Sequence, residues 1–243
     1  MILEVQHVKK VFGNKLVLDN VSLTVDAGEC LGIVGLSGCG KSTLAKIIAR
    51  LIPSDGGKIF LCGEDITHAT GNDFYRNMQM IFQTPEDSFN PRRTLGASIA
   101  EPLKNFKINA NVGDLLEQVG LPAAYAERYP REVSGGECQR AAIARAISIN
   151  PKLLICDEAT SALDVTIQAQ VVVLLKRFCV EKNIACLFIT HDLALLPRLA
   201  DRVIVLHLGK VVEEGTPEQI IHEARSPFTK QLMASNFFAK EDL

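Results

Sequence analysis

A short apolar run, Leu31-Gly32-Ile33-Val34, leads directly into Gly35-Leu36-Ser37-Gly38-Cys39-Gly40-Lys41-Ser42-Thr43, and a helix-forming stretch runs on to Ala49. This is the pattern G-x-x-x-x-G-K-[ST] in a strand, turn and helix context, a P-loop. Glycines at 35, 38 and 40 let the backbone curl, so that consecutive N–H groups point into one concavity. The helix that starts near Lys41 adds free N–H groups and its positive dipole end. Lys41 has the length to reach β- and γ-phosphates, and Ser42 can place its hydroxyl on Mg²⁺. The candidate nucleotide-binding residues here are Gly35, Ser37, Gly38, Cys39, Gly40, Lys41, Ser42 and Thr43.

At 243 residues, 47% of them apolar, the chain can build one large domain, or one domain with a substantial insertion. Its net charge is −2 and no block of like charge is long enough for a nucleic-acid arm, so nucleic acid is not an expected partner. The seven cysteines, at 30, 39, 62, 138, 156, 179 and 186, form no C-x-x-C pair, and several fall in apolar runs. They read as small buried core residues of a reducing compartment rather than as metal ligands. Glu4 and Lys9-Lys10 interrupt the N-terminus, so no signal peptide is expected. No apolar run reaches the ~18 residues that span a bilayer, so a role at a membrane would run through a partner.

Residues 2 to 25 alternate as two paired strands around a Gly13-Asn14 turn. Strands are expected at 58–62 and 78–82. From Thr84 to about Asn150 helical patterns dominate, at Leu95 to Leu103, Val112 to Val119 and Gly135 to Ile149. Strands return at Leu153 to Cys156, Cys186 to Ile189 and Arg202 to Leu206, with helices at Thr166 to Lys182 and Leu193 to Leu199 between them. Short apolar strands alternating with helices predict an α/β fold, a parallel sheet covered on both faces.

Asp157-Glu158 closes the run 153–156, and open α/β sheets bind ligands at the C-terminal ends of their strands. Asp157 is placed to hold Mg²⁺ through water, and Glu158 to polarise an attacking water. His191 ends the next apolar strand and can contact a γ-phosphate from the same sheet edge. Ser134-Gly135-Gly136-Glu137 opens a helix within the helical stretch and makes a second anion-binding N-terminus. Two phosphate-binding faces on one chain predict a head-to-tail dimer, each nucleotide shared between the P-loop of one subunit and this turn of the other.

The ordered set of P-loop, Gln83 after Met80-Ile81-Phe82, Val133 to Glu137, Leu153 to Glu158, Ser161-Ala162-Leu163-Asp164 and His191 resembles the ATP-binding-cassette transporter ATPases, across essentially the whole chain. The resemblance implies a P-loop NTPase (RecA-like) parallel-sheet core. An antiparallel β-subdomain lies at its N-terminus and a helical subdomain is inserted. Within a single domain over 1–243, residues 1–83 and 151–243 would form the core and 84–150 the helical subdomain. It implies that Gln83 is the Q-loop glutamine that touches Mg²⁺ and relays to the membrane partner. Ser134, Gly135, Gly136 and Glu137 become the signature motif, Asp164 the D-loop, and Phe12 the aromatic that stacks on adenine. The family signature usually reads Leu-Ser-Gly-Gly-Gln. Val133 and Glu137 replace its outer residues, and a carboxylate at 137 near a polyanion must face away or be paired. Contacts across the dimer are therefore expected from Ser134 and Gly136.

Gln83 to Arg92, Asp164 to Gln170 and Ser226 to Leu232 resemble the oligopeptide, dipeptide and nickel importer ATPases. Many of these carry a cysteine-rich extension after the last segment. This sequence stops at Leu243 without one, so no iron–sulfur cluster is expected, and the short form is similar to the second ATPase subunit of a nickel or peptide importer. The implied activity is ATP hydrolysis with ATP and Mg²⁺, by a peripheral subunit on the cytoplasmic face of a membrane. The implied partners are integral-membrane permeases, a second cassette and, indirectly, an extracytoplasmic binding protein. The alternative is a soluble cassette ATPase acting on nucleic acid or ribosomes. The compact insertion and near-neutral charge argue against it, and the second phosphate-binding turn and His191 argue against a P-loop kinase.

Overall fold

The computed structural model describes residues 1–69 and 73–238; residues 239–243, up to the Leu243 at which the sequence stops, lie outside the described residues. β1 (Leu3–Phe12) and β2 (Lys15–Val25) form the hairpin expected around Gly13-Asn14. β3 (Cys30–Val34) runs into the glycine-rich loop, and α1 (Lys41–Ile48) follows it. β4 (Gly56–Leu61) and the short β5 (Glu64–Asp65) return to the hairpin, giving an antiparallel sheet of order β2-β1-β4-β5. β6 (Met78–Ile81) precedes a strand-free stretch that holds α2 (Leu95–Asn105), α3 (Val112–Gln118) and α4 (Gly135–Ile147). The chain then alternates: β7 (Leu153–Asp157), α5 (Val165–Lys182), β8 (Ala185–Ile189), α6 (Leu196–Leu199), β9 (Arg202–His207) and β10 (Lys210–Gly215). Two further helices, α7 (Pro217–His222) and α8 (Pro227–Phe238), lie beyond the helices expected from the sequence.

The second sheet has the order β10-β9-β3-β8-β7-β6, parallel except for the antiparallel β10 at its edge. β3, β7 and β8 are buried at every residue, which is why they read as unbroken apolar runs rather than as alternating ones. Parity divides them between two cores. Leu153, Ile155, Leu187, Ile189 and Ile33 face α1 and the antiparallel sheet. Leu154, Cys156, Cys186 and Phe188 face α4 and α5, in one cluster with Ile99, Leu116 and Ile143. The helices of the 84–150 stretch thus share a continuous core with the lower face of the sheet.

All seven cysteines are free thiols, and six are buried. Cys62 departs from the expectation that all are core residues: it follows β4 at a turn, with φ +53, and is exposed. The turn has to reverse the chain into β5, and that turns its side chain out of the antiparallel sheet.

Register explains why the distant motifs meet. Ile33 pairs with Ile189, and Ile189 with Asp157. β3, β8 and β7 therefore end level. The P-loop, Thr190-His191 and Glu158 leave the sheet at one edge, the C-terminal edge where such sheets bind ligands.

Candidate active site

The P-loop is shaped by what its glycines cannot carry. Gly35 has φ +153, and a Cβ there would stand 2.2 Å from the Leu206 carbonyl oxygen. Gly40 has φ +110, and its Cβ would meet Leu18 Cδ2 at 2.7 Å. A side chain at either position would force the loop away from β2 and β9. Gly40 is also the N-cap of α1; it supplies no capping side chain, and the first turn holds no acidic residue. The leading N–H groups of α1 are thus left for an anion, where Ser, Thr, Asp or Asn would ordinarily satisfy them. Lys41 is buried, and its Nζ donates to the carbonyls of Gly35 at 2.7 Å and Leu36 at 3.1 Å. The ammonium is thus held inside the loop's own concavity. Ser37 and Gly38 are exposed at its tip, Thr43 is half-buried in α1, and Cys39 is buried, its thiol pushed up by desolvation.

Ser42 Oγ donates to Asp157 Oδ1 at 2.9 Å. Asp157 is buried, and desolvation pushes its carboxyl up, with the neighbouring Glu158 adding to it, against the Ser42 hydrogen bond and the Lys46 and Lys41 charges. A hydroxyl beside a desolvated carboxylate is the donor set of a hard cation. Among the described residues no group of three His, Cys, Asp or Glu could hold a metal alone, so a cation here would take most of its ligands from phosphate and water. These residues fit Mg²⁺ arriving with a nucleotide.

Glu158 has φ +50, a left-handed conformation that β-carbon sterics disfavour. It is held there by its own N–H, which donates to Ile189 O at 3.0 Å, and by its carbonyl, which accepts from Ser161 Oγ at 3.0 Å. The turn aims the carboxylate at two residues from other strand ends. Gln83 Nε2 donates to Glu158 Oε2 at 3.2 Å, and His191 Nδ1 stands 3.6 Å from the same oxygen. Gln83 follows β6 and His191 follows β8. Two segments far from Glu158 in sequence thereby converge on one of its carboxylate oxygens, beside the Ser42–Asp157 pair.

The Ser134 turn lies at the other end of α4 from Ile147. Ser134 is the N-cap: its Oγ accepts from Glu137 N–H at 3.3 Å, and its own N–H donates to Glu137 Oε2 at 2.8 Å, a reciprocal capping box. A Cβ on Gly136 would stand 2.8 Å from Ile167 Cγ2, so the glycine lets α4 dock closely on the start of α5. Gly135 faces outward near Glu86 Oε1. Among the described residues no hydrogen bond links this turn to the P-loop. Asp164 caps α5, its carboxylate accepting from Ile167 N–H at 3.0 Å. Phe12 is 49% exposed at the β1–β2 turn with Lys10 Nζ 5.2 Å from its ring centroid, so it stands outside the core, free to stack on a flat ligand.

Sequence reasoning missed the partners of two of these features. Tyr125 OH donates to Glu137 Oε1 at 2.8 Å. Arg145 Nη1 donates to Ser88 O at 2.6 Å and its guanidinium lies 4.5 Å from the Phe89 ring centroid, tying α4 to the segment after Gln83. Neither pairing has a local sequence signal, because both are made between elements.

The family model described as "ABC transporter" matches residues 18–161. The oligopeptide transport ATP-binding protein OppF of Salmonella typhimurium is 44% identical over 228 residues, covering 90% of this chain and 68% of that one. OppF of Bacillus subtilis is 41% identical over 249 residues, covering 96% and 82%. Among solved structures, the ATP-binding cassette MJ0796, described as a dimer in a post-hydrolysis state bound to ADP and Pi, is 26% identical with a TM-score of 0.80 over 93% of this chain and 100% of that one. A P-loop NTPase fold with a family match through the P-loop, the signature turn and Glu158, beside relatives above 40% identity along nine tenths of the chain, leads to one conclusion: this chain belongs to the ABC transporter family as an ATP-binding, ATP-hydrolysing subunit, alongside the oligopeptide transport ATP-binding proteins.

Proposed function

We propose that this chain powers a membrane importer of peptides as a peripheral subunit, its single domain dividing into a core of 1–83 and 151–243 and a helical subdomain of 84–150. The observation that carries the reading is the convergence of Gln83 and His191 on Glu158, next to the P-loop and the Ser42–Asp157 pair. In it Glu158 orients and deprotonates the attacking water, and His191 and Gln83 hold that carboxylate and the γ-phosphate in line. Lys41 exchanges its two carbonyl partners for phosphate oxygens, and the free N–H groups of α1 receive the same charge. Ser42, Gln83 and Asp157 would hold Mg²⁺, which would supply positive charge to offset that of the phosphates. Phe12 stacks on adenine. Ser134, Gly135, Gly136 and Asp164 serve the nucleotide of a second cassette.

Supporting the transport step is a groove of about 310 Å³ lined by Met80, Phe82, Glu101, Pro102, Phe106 and Arg145. It lies beside Gln83 and the segment to Pro91, so a permease segment seated there would sense the state of the γ-phosphate through Gln83. Among the described residues no helix is long and apolar enough to cross a membrane, so the translocation path would belong to those permeases. The cargo is read from the names of the relatives, which are oligopeptide transport proteins.

The test is purification from membranes followed by reconstitution. The chain should copurify with integral membrane proteins and not with RNA, and vesicles should take up labelled oligopeptide only with ATP. Glu158→Gln should bind ATP near the wild-type level, lose hydrolysis by about a hundredfold or more, and accumulate ATP-dependent dimers. Uptake of nickel chelates in place of peptide would overturn the cargo, and turnover near wild type would overturn the role of Glu158.

A further inference from the structure

Glu137 poses an electrostatic problem: the turn it helps to cap is the one that the proposed function gives to a nucleotide's γ-phosphate. Glu86 adds a second carboxylate, its Oε1 3.9 Å from where a Gly135 Cβ would stand. Two acids at a phosphate-binding turn should repel the ligand. For Glu137 the structure supplies an answer that the signature motif itself does not contain. Glu137 Oε1 accepts from Tyr125 OH at 2.8 Å, while its Oε2 accepts from Ser134 N–H at 2.8 Å. The Arg128 guanidinium lies 3.9 Å from the Tyr125 ring centroid. Tyr125 belongs to a short 3₁₀ turn, Ala123–Glu127, and Arg128 follows it, so both lie outside α4. These contacts hold the Glu137 carboxyl below its ordinary range: the Ser134 N–H first, then the Tyr125 hydroxyl, with the Arg128 charge contributing.

Both carboxylate oxygens are thus occupied, and the Arg128 charge adds to their stabilisation. Ser134 Oγ accepts from Glu137 N–H and keeps its own hydrogen to donate. The leading N–H groups of Gly135 and Gly136 have no partner within the helix. We propose that Tyr125 and Arg128 are positioning residues for the nucleotide: they turn the Glu137 carboxylate away and offset its charge, so that Ser134 Oγ and the Gly135 and Gly136 N–H groups can take the γ-phosphate presented by a second cassette. This rests on the reading of the turn as a ligand across a dimer.

The experiment measures steady-state ATP hydrolysis of the full chain in its assembled transporter, for wild type, Tyr125→Phe, Glu137→Gln and the double variant, with Ser134→Arg as reference. Tyr125→Phe should raise the half-saturating ATP concentration about three- to tenfold and change kcat by less than about twofold, because it frees a charge that opposes binding without touching the chemistry. High salt should narrow the difference. In the Glu137→Gln background, with no charge to hold, Tyr125→Phe should shift half-saturation by less than about twofold. Arg128→Gln should follow the same pattern and serves if Tyr125→Phe fails to fold. An unchanged half-saturation in Tyr125→Phe, or an equal rise in both backgrounds, would overturn the proposal while an inactive Ser134→Arg left the dimer reading standing. Normal hydrolysis by Ser134→Arg would overturn both.

Discussion

Glu158 shows how much a single residue's backbone can matter to a site. Its left-handed φ of +50 costs on the order of 1 kcal/mol for a residue with a Cβ. Ile189 O and Ser161 Oγ offset that cost and fix the carboxylate between Gln83 and His191. The acidic pair at the end of β7 was legible in the sequence, as was His191 at the end of β8. The strained turn was not, since nothing in Asp157-Glu158-Ala159-Thr160 specifies a positive φ. Lys41 belongs to the same scale. It is the one side-chain cation inside the loop, already aligned by two carbonyls. Lys41→Ala should weaken MgATP binding by about 10- to 100-fold, the worth of a charge-assisted bond lost in a partly desolvated site. A direct titration checks this, and undiminished affinity would count against the P-loop as the binding site.

At the level of elements, α4 connects two ends that face different tasks. Its N-terminus presents Ser134 and its last turn presents Arg145, which holds Ser88 O and stacks on Phe89. α4 therefore runs from the Ser134 turn to Arg145, which contacts the 83–91 segment and lines the groove beside it. Burial lowers the Arg145 guanidinium's proton affinity, but the ion remains charged at any physiological pH. Arg145→Ala should lower stability by about 2 kcal/mol, through loss of the charge-assisted hydrogen bond and the ring contact. It should also raise hydrogen exchange across 86–91 well beyond that of the β-sheets. A uniform rise over the whole chain would show instead that the tether is merely part of the global fold. One of the two helices absent from the sequence expectations, α7, was legible after all. Thr216-Pro217-Glu218-Gln219 is a capping box with proline in the first turn, and the structure forms it at the start of α7. Periodicity hides such short elements, whereas capping chemistry reveals them.

Taken as a whole, the molecule has one complete P-loop and one signature turn that no hydrogen bond among the described residues joins. A head-to-tail pair of cassettes would bring each P-loop to the other's turn, and the related cassette MJ0796 is described as dimeric. Ser134→Arg should therefore leave ATP binding to the isolated subunit intact and abolish hydrolysis. Mixing Ser134→Arg with Lys41→Ala subunits should restore part of the activity, because one composite site then unites an intact P-loop with an intact turn. Hydrolysis in the mixture no greater than the sum of the two variants alone would mean that both sites must fire together or that the natural partner is a different cassette.

Local chemistry was readable from the residues alone. The glycine spacing of 35–41 dictates a backbone cradle, the unbroken apolar runs of β3, β7 and β8 dictate a sheet buried on both faces, and the residues that end those runs mark the reactive edge. These are legible because each depends on neighbours within a few positions. Contacts between elements come from the packing of the folded chain. The register of β3, β8, β7 and β6 brings Gln83 and His191 to one oxygen of Glu158. The docking of a separate turn on α4 gives Glu137 its tyrosine. The capping box of Ser134 and Glu137 is written three residues apart, whereas the second hydrogen bond to Glu137 comes from Tyr125, twelve positions upstream, with Arg128 over its ring. A hydrogen bond between elements is fixed by how two faces pack, and a linear sequence encodes the faces without stating which pair will meet.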